Sequence, residues 1–287
     1  MPTTTTILIT GANGQLGKEL QALSTSIPGF NFIFLSKEEL SIHDTASVNA
    51  VFEKNKPGYL INCAAYTAVD KAETDKEAAY DVNAVATGLL ATTCKEHNTR
   101  FIHISTDYVF NGKATAPYRE DAMTDPQGIY GASKLEGEKL AMKLNPSSII
   151  IRTSWVYSEF GKNFVKTMLR LMSEKPSINV VNDQVGSPTY AADLADAIMQ
   201  IIISGKWQAG IYHYSNSGII SWFDFATAIG EMIGSTCIVN PIPSSQYPTP
   251  AIRPGYSVLD TSKISKTFSI QIKDWRTSLK VCLTKLA

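Results

Sequence analysis

Residues 3 to 17 read Thr3-Thr-Thr-Thr-Ile-Leu-Ile-Thr10 and then Gly11-Ala-Asn-Gly-Gln-Leu-Gly17, and this stretch decides the fold. The β-branched and apolar run predicts a buried strand, the glycines predict a tight turn, and the residues that follow predict a helix. Gly11 permits the turn, Gly14 lets a pyrophosphate approach the backbone, and Gly17 lets the helix pack on the strand. A strand, a glycine turn and a helix in this order predict a dinucleotide site.

The same alternation of strands and helices continues along the chain. Further strands are predicted at 32–35, 59–62, 100–105 and 148–153, and helices at 15–24, 46–55, 76–97, 129–144 and 163–172. This pattern predicts an α/β fold with a doubly wound parallel sheet (a Rossmann fold) of at least six or seven strands.

The rhythm changes after Ser173. Short strands are predicted at 178–181 and 210–214, helices at 191–203 and 222–233, and a proline-rich segment covers 241–254. We therefore expect residues 1–172 to form a dinucleotide-binding domain and residues 173–287 a smaller C-terminal α/β substrate lobe. Some segments of the lobe should return to the first domain.

Charge and cysteine content exclude several classes of protein. The 287 residues carry 26 basic and 26 acidic side chains, so nucleic acid and membrane surfaces are not expected partners. No signal peptide or membrane-spanning stretch is recognisable, which favours a cytoplasmic protein. The four cysteines are scattered without a Cys-x-x-Cys pair, so neither a disulfide framework nor a zinc site is indicated. We interpret the four histidines, His43, His97, His103 and His213, as structural.

Tyr130 and Lys134 open the predicted helix at 129–144. Four residues along a helix return to the same face, so the phenol and the ammonium can share one site. A nearby cation favours the phenolate, and this predicts that the pKa of Tyr130 is lowered towards the range useful for proton transfer.

Other polar and small residues follow the carboxyl ends of the predicted strands. Ala64 and Ala65 come after the strand at 59–62 and would let a cofactor lie against the chain. Ser105 and Thr106 end the strand at 100–105, where their hydroxyls could bond a reacting carbonyl oxygen. Because these ends share one edge of a parallel sheet, the sequence predicts one site at that edge.

Taken together, several motifs resemble the extended short-chain dehydrogenase/reductases over nearly the whole chain. They are Thr10-Gly-x-x-Gly-x-x-Gly17, Asn62-Cys-Ala-Ala65, Asp81-Val-Asn83, Ser105-Thr-Asp-Tyr-Val-Phe110 and Tyr130-x-x-x-Lys134. Within that superfamily, four further segments resemble the dTDP-4-dehydrorhamnose reductase family, which makes dTDP-L-rhamnose in the last step of its synthesis. They are residues 64–73, 152–157 and 183–189, and Arg253-Pro254 followed by Ser257.

The resemblance implies reduction of the C4 keto group of a nucleotide sugar. Tyr130 would give the proton, Lys134 would hold the nicotinamide ribose, and Thr106 would bond the C4 oxygen. Asp107 and Trp155 are implied to contact the sugar, and Arg253 is a candidate partner for the diphosphate because guanidinium binds such groups bidentately. A magnesium ion and a homodimer remain open.

The cofactor choice rests on the end of the second strand. Ser36 and Lys37 stand where an acidic residue would select NADH, so we expect NADPH, with NADH as the alternative because Glu38 and Glu39 follow. The residues expected to contact the cofactor are Gly11, Asn13, Gly14, Gln15, Leu16, Gly17, Ser36, Lys37, Ser41, Ile42, Ala64, Ala65, Tyr66, Thr67, Asn83, Tyr130 and Lys134.

Two alternative functions remain at this stage. A sugar-nucleotide epimerase of the same fold would retain oxidised NAD and need no added reductant; a dehydratase is disfavoured because Asp107 and Tyr108, rather than Asp and Glu, follow Thr106. A non-catalytic protein similar to the regulatory subunit of methionine adenosyltransferase would bind a partner instead. The complete set of Thr106, Tyr130 and Lys134 disfavours that second alternative.

Overall fold

The computed structural model describes residues 4–287, which form twelve strands and eleven α-helices. The strands are β1 (Thr5–Thr10), β2 (Phe30–Leu35), β3 (Tyr59–Asn62), β4 (Arg100–Thr106), β5 (Ile149–Thr153), β6 (Val156–Tyr157), β7 (Ser177–Val181), β8 (Val185–Gly186), β9 (Thr189–Tyr190), β10 (Gly210–His213), β11 (Ile220–Ser221) and β12 (Ile238–Ile242). The helices are α1 (Gln15–Ser24), α2 (Thr45–Asn55), α3 (Val69–Ala72), α4 (Lys76–Tyr80), α5 (Ala86–Glu96), α6 (Ile129–Leu144), α7 (Phe164–Glu174), α8 (Ala191–Ile203), α9 (Trp222–Ile233), α10 (Ser262–Phe268) and α11 (Trp275–Leu286).

Six of these strands form the central sheet. Their order is β2-β1-β3-β4-β5-β10, and every neighbouring pair is parallel. The chain moves to one side of β1 for β2 and to the other side for β3, so the direction of winding reverses between β1 and β3. This confirms the predicted doubly wound sheet, and the crevice at its carboxyl edge is where such folds bind ligands.

Successive residues of β1 point to two apolar cores on opposite faces of the sheet. Ile7 and Ile9 pack with α1, α8 and α10, whereas Leu8 packs with α2, α5 and α6. All three side chains are fully buried, as expected for a parallel strand that helices cover on both sides. The predicted start of this strand at Thr3 lies outside the described residues.

The helix predicted at 76–97 is interrupted. α4 and α5 are separated by a π-helical segment, Asp81–Val85, which accommodates one extra residue per turn. The chain is thus helical over Lys76–Glu96, nearly the predicted span, with a π-helical segment inside it that the sequence did not predict. Asn83, in this segment, makes long-range contacts that are described below.

A third apolar core joins α7, α9 and α11 to the parallel pair formed by β7 and β12. The strand predicted at 210–214 does not belong with this core, because β10 pairs with β5 and completes the central sheet. α8 also packs on the central sheet. These segments therefore belong to the central sheet and its helical layer, while the division into residues 1–172 and 173–287 stays a prediction. Within residues 4–287, none of the helices has the length and apolar character needed to cross a bilayer.

Candidate active site

The glycine turn lies at the carboxyl end of β1. Gly11 has φ +68°, and a methyl group on it would lie 2.6 Å from the backbone nitrogen of Ala64. A methyl group on Gly17 would overlap the carbonyl oxygen of Gly11, so α1 begins in direct contact with the turn. Gly14 is exposed and caps α1 without any side-chain hydrogen bond. The first amides of α1 are therefore free to bind an anionic group.

The other predicted residues of this turn divide between surface and interior. Asn13 is exposed, whereas Leu16 is buried in the core. Gln15 points across the crevice, where its amide nitrogen donates to Val156 O at 3.4 Å and its oxygen accepts from Asn163 Nδ2 at 2.9 Å. Gln15 therefore links the glycine turn to the segment that follows β5.

The loop after β2 holds the residues predicted to select the cofactor. Ser36 N–H donates to Glu39 Oε2 at 2.8 Å, and this hydrogen bond is the main cause that lowers the pKa of Glu39. Lys37 is exposed. A 2′-phosphate at this loop would compete with the Glu39 carboxylate for the Ser36 amide. Further along, Ser41 is exposed and Ile42 packs in the core.

The loop after β3 is held in place by Asn83. Its Oδ1 accepts from Tyr66 N–H at 2.9 Å, and its Nδ2 donates to Tyr66 O at 3.1 Å and to Ser133 Oγ at 3.0 Å. Asn83 thus joins the loop of residues 64–67 to α6. Both of its donors are occupied, so its effect on a cofactor would pass through the loop.

Ser105 does not face the site. Its hydroxyl donates to Glu138 Oε1, and Glu138 accepts two further hydrogen bonds from Arg152, at 2.9 Å and 2.7 Å. Glu138 and Arg152 are each only 2% exposed. The expectation that Ser105 could bond a reacting carbonyl oxygen was wrong, because neighbouring residues of a strand point to opposite faces. Only Thr106 turns towards the crevice.

Thr106, Asp107 and Tyr130 come together at the carboxyl end of β4. Thr106 Oγ1 donates to Asp107 Oδ1 at 3.0 Å, and it is also close enough to Tyr130 to lower the pKa of the phenol. Burial raises the pKa of Asp107 to about 6. The Tyr108 ring meets the Tyr130 ring edge-on, with centroids 5.4 Å apart.

The pKa of Tyr130 is shifted in the direction opposite to the one that the Tyr130-Lys134 spacing predicts. Burial raises it, and the Thr106 hydroxyl offsets only part of the increase. Lys134 does not favour the phenolate here, because its amine is bonded elsewhere. Nζ donates to Ile104 O at 2.7 Å and lies 3.1 Å from His103 Nε2. Burial lowers the pKa of Lys134 itself to about 8.

Trp155 enters the same pocket from the loop after β5. Its backbone has φ +48°, and its indole stacks on Trp222 with ring centroids 3.6 Å apart. A methyl group on Gly186 would lie 2.6 Å from the Trp155 ring and 2.7 Å from Ser257 Oγ. The Ser257 hydroxyl lowers the pKa of Asp107, although Ser257 Oγ and Asp107 Oδ2 are both buried without a hydrogen bond among residues 4–287. Two buried polar atoms with no other partner among the described residues therefore lie close together in this pocket.

Arg253 lies at the outer side of this pocket. Its Nη1 donates to Tyr108 Oη at 3.2 Å, and its Nη2 donates to Asp70 Oδ2 at 2.8 Å. The side chain is 30% exposed. A diphosphate at Arg253 would therefore share the guanidinium with Asp70.

Within residues 4–287, no group of three or more His, Cys, Asp or Glu side chains is arranged to hold a metal ion. The structure gives no support to the magnesium ion that the sequence left open.

Three residues near the site were missed from the sequence. Ser257 was only part of a quoted motif, Asn62 was treated as the end of a strand, and His103 was interpreted as structural. The sequence could have indicated Asn62 and His103, because a polar residue inside a buried strand needs a hydrogen-bonding partner. The hydrogen bonds of these two residues are described below.

A doubly wound sheet with a glycine turn, and with Thr106, Tyr130 and Lys134 at its carboxyl edge, defines the class of extended short-chain dehydrogenase/reductases. Comparison with known proteins narrows this class. The family described as RmlD substrate binding domain matches residues 5–287. The chain belongs to this family.

Individual relatives agree with the family. The chain is 42% identical over 284 residues to a dTDP-4-dehydrorhamnose reductase of Aggregatibacter actinomycetemcomitans, which covers 96% of this chain and 97% of that protein. A crystal structure of a dTDP-4-dehydrorhamnose reductase from Clostridium acetobutylicum matches with a TM-score of 0.94 at 40% identity, covering 98% of this chain and 99% of that one. The Bacillus anthracis dTDP-4-dehydrorhamnose reductase in complex with NADP also matches with a TM-score of 0.94, at 37% identity, covering 99% and 100%.

Proposed function

We propose that this protein reduces the C4 keto group of dTDP-4-dehydro-L-rhamnose to give dTDP-L-rhamnose, with NADPH as the reductant. The observation that carries the proposal is the meeting of the Thr106 hydroxyl and the Tyr130 phenol at the carboxyl edge of the sheet that also holds the glycine turn. The names of the relatives support the substrate, and the NADP complex of one of them supports the cofactor. The cytoplasmic location and the homodimer stay predictions.

The crevice fits a dinucleotide. The uncapped amides at the start of α1 would hold its pyrophosphate, and the exposed Gly14 has no side chain to obstruct it. The loop of residues 64–67 would lie along the cofactor, with Ser36 at its ribose. When bound, the reduced nicotinamide would supply the hydride to the C4 carbon.

Tyr130 would supply the proton. The raised pKa keeps the phenol protonated at neutral pH, so Tyr130 is a proton donor in the direction of reduction. Its Oη would transfer the proton to the oxygen of the reduced carbonyl, and the Thr106 hydroxyl, turning its proton away from Asp107 Oδ1, would donate to that oxygen. Lys134, four residues along α6, would return a positive charge to the phenolate that remains.

The sugar would be recognised by the polar atoms left unpaired in the pocket. Asp107 Oδ2 and Ser257 Oγ are buried and would bond sugar hydroxyls. Trp155 would form an apolar wall for the ring, and Arg253 would contact the diphosphate.

The decisive experiment is to follow the absorbance of NADPH with dTDP-4-dehydro-L-rhamnose as substrate. We expect consumption that depends on both compounds, with NADH tested in parallel at the same low concentration. Much faster oxidation of NADH would overturn the cofactor assignment. Turnover of a nucleotide sugar without any added reductant, by protein that purifies with NAD, would instead indicate the epimerase.

Tyr130→Phe tests the proton donor. The ring packing is kept and only the hydroxyl is lost, so we expect a folded protein with turnover reduced by about 10²–10⁴-fold. Tyr247→Phe is the matched control, because Tyr247 is 60% exposed and should keep full activity. Near-full activity of Tyr130→Phe would refute this mechanism.

A further inference from the structure

A row of buried polar side chains crosses the sheet behind the candidate active site. The strand register places Thr10 beside Asn62 and Asn62 beside His103. Thr10 Oγ1 lies 2.6 Å from Asn62 Oδ1, Asn62 Nδ2 lies 3.0 Å from His103 Nδ1, and His103 Nε2 lies 3.1 Å from Lys134 Nζ. Each of these four residues is at most 1% exposed. Each atom in the row must therefore find its partner within the protein.

Ala64 fixes the orientation of the Asn62 amide. The backbone N–H of Ala64 can only donate, and it lies 3.2 Å from Asn62 Oδ1, so this atom must be the carbonyl oxygen. Asn62 Nδ2 is then a donor, and His103 Nδ1 must accept its hydrogen bond. Burial holds the pKa of His103 well below its ordinary value, so the ring is neutral. A neutral ring carries one proton, which must be on Nε2.

The Nε2–H group of His103 points at the amine of Lys134. An ammonium has three donors and no acceptor, so it cannot accept a hydrogen bond from another N–H group. A neutral amine has a lone pair that accepts from His103, and it can still donate to Ile104 O. The observed pair of contacts is therefore satisfied by the neutral form of Lys134.

The other groups that face Lys134 leave its charge closely balanced. Burial lowers the pKa of Lys134 to about 8, while the Glu138 carboxylate, on the same helix, favours the charged form. Cys63, after β3, also faces Lys134, but burial raises the pKa of its thiol to about 12 and keeps it neutral in this range. The charge of Glu138 is shared with Arg152. Tyr130, one turn earlier on α6, is the other titratable group on this face. A single hydrogen bond can therefore decide which form prevails.

We propose that His103 is a positioning residue for Lys134: its Nε2–H holds the neutral amine beside Ile104 O, and this bond is lost when the amine gains a proton. The added proton comes from solvent and occupies the lone pair that accepted the His103 N–H. The bond to His103 is then lost, whereas Ile104 O still accepts from the ammonium, so one donor of Lys134 becomes free for a further acceptor such as the phenol oxygen of Tyr130. The effect of His103 on catalysis rests on the proposed function, whereas the hydrogen bond between His103 and Lys134 can be tested without it.

Nuclear magnetic resonance of the imidazole nitrogens tests the structural part without any turnover. The chain has four histidines, and loss of one signal set in His103→Gln assigns His103. We expect Nε2 to carry the proton and Nδ1 to be bare throughout the neutral range, and the Nε2 signal to change near pH 8 as Lys134 titrates. A proton on Nδ1, or a doubly protonated ring at neutral pH, would overturn the inference even in a protein that shows no reductase activity.

The pH profile of turnover tests the catalytic part. In the wild-type protein, activity should fall on the alkaline side as Lys134 becomes neutral. His103→Gln removes the N–H that favours the neutral amine, because a glutamine can present its carbonyl oxygen to the ammonium. We expect the alkaline limb to move up by roughly one pH unit.

Asn62→Asp inverts the row without removing it. A carboxylate still accepts from Ala64, but it also accepts from His103 Nδ1–H and so leaves Nε2 as an acceptor for the Lys134 ammonium. We expect the alkaline limb to move up and the plateau rate to fall, because the charged amine is now held away from Tyr130. This variant also keeps the test open if His103→Gln does not fold.

His213→Gln is the matched control. His213 is equally buried, but its Nδ1 faces Tyr118 O at 3.1 Å rather than Lys134. We expect it to lower stability and leave the alkaline limb in place. If the limb stays unchanged in both His103→Gln and Asn62→Asp, or moves as far in His213→Gln, His103 does not position Lys134.

Discussion

Removal of the charge of Glu138 should destabilise the protein strongly. Arg152 donates two hydrogen bonds to this carboxylate, from Nε at 2.9 Å and from Nη2 at 2.7 Å, and both side chains are 2% exposed. Arg152 Nη1 has no hydrogen-bonding partner among residues 4–287. In Glu138→Gln the guanidinium stays buried and charged with no counter-ion, and arginine cannot lose its proton to escape the cost.

The magnitude follows from burial. Breaking a buried ion pair on one side costs about 3–5 kcal/mol, because the remaining charge is left in a medium that solvates it poorly. The free energy of unfolding, measured by urea denaturation, should fall by this amount in Glu138→Gln. The double variant Glu138→Leu/Arg152→Met should recover part of the loss, since no buried charge remains. Its recovery is incomplete because the Ser105 hydroxyl is left without an acceptor, at a cost of about 1–3 kcal/mol.

An exposed pair with the same geometry provides the control. Arg170 Nη1 and Glu174 Oε2 are 2.8 Å apart, but the two side chains are 59% and 50% exposed. Glu174→Gln should cost less than about 1 kcal/mol, because solvent replaces the lost interaction. Equal losses in Glu138→Gln and Glu174→Gln would refute the claim that burial sets the magnitude.

Two further predictions concern the glycine turn and the pocket. Gly11→Ala should weaken NADPH binding at least tenfold in a fluorescence titration, because the added methyl group would meet Ala64 N at 2.6 Å. The control is Gly29→Ala, which has φ +94° and no atom within 4 Å of the added methyl group, and which should leave the affinity for NADPH unchanged. An equal loss of affinity in both variants would contradict the role of the turn. Asp107→Asn should be more stable than the wild type above pH 6 by on the order of 3 kcal/mol, because burial raises the pKa of Asp107 from 3.8 to about 6 and so penalises the charged form. This gain should vanish as the pH falls from about 6 to about 4, because Asp107 becomes protonated first in the folded state and then also in the unfolded state. Urea denaturation at several pH values in this range measures it. A difference in the free energy of unfolding between Asp107→Asn and the wild type that does not change with pH would contradict the prediction.

The parts of the fold that could be predicted from the sequence are those that local patterns determine. The bounds of α6, Ile129–Leu144, agree with the prediction, and α1 begins at Gln15 as expected. The parallel pairing of the central strands agrees with the prediction from alternating strands and helices. Such features depend on the periodicity of neighbouring residues, which a sequence displays directly.

The parts that could not be predicted depend on partners distant in the chain. Asn83 contacts Tyr66 and Ser133, 17 and 50 positions away, and it lies in the π-helical segment that no local pattern indicated. Two hydrogen bonds likewise join distant positions: Ser105 bonds Glu138, 33 positions away, and Arg253 bonds Asp70, 183 positions away. Both partners in each pair are common surface residues in other contexts, so nothing in the sequence selects them.

Trp155 shows why such departures from local rules gather at the site. A left-handed backbone at a bulky residue costs about 1–3 kcal/mol, and it persists only where the surroundings hold it. Here Thr189 N–H donates to Trp155 O at 3.2 Å, and the indole is stacked on Trp222. A relaxed backbone would turn the indole away from Gly186, and with it away from Ser257 and Asp107. The strained backbone at Trp155 therefore places an aromatic ring at the carboxyl edge of β5, beside Gly186 and Ser257. If Trp155 contacts the sugar as we propose, this is a position where function outweighs the local rule that disfavours tryptophan in a left-handed conformation.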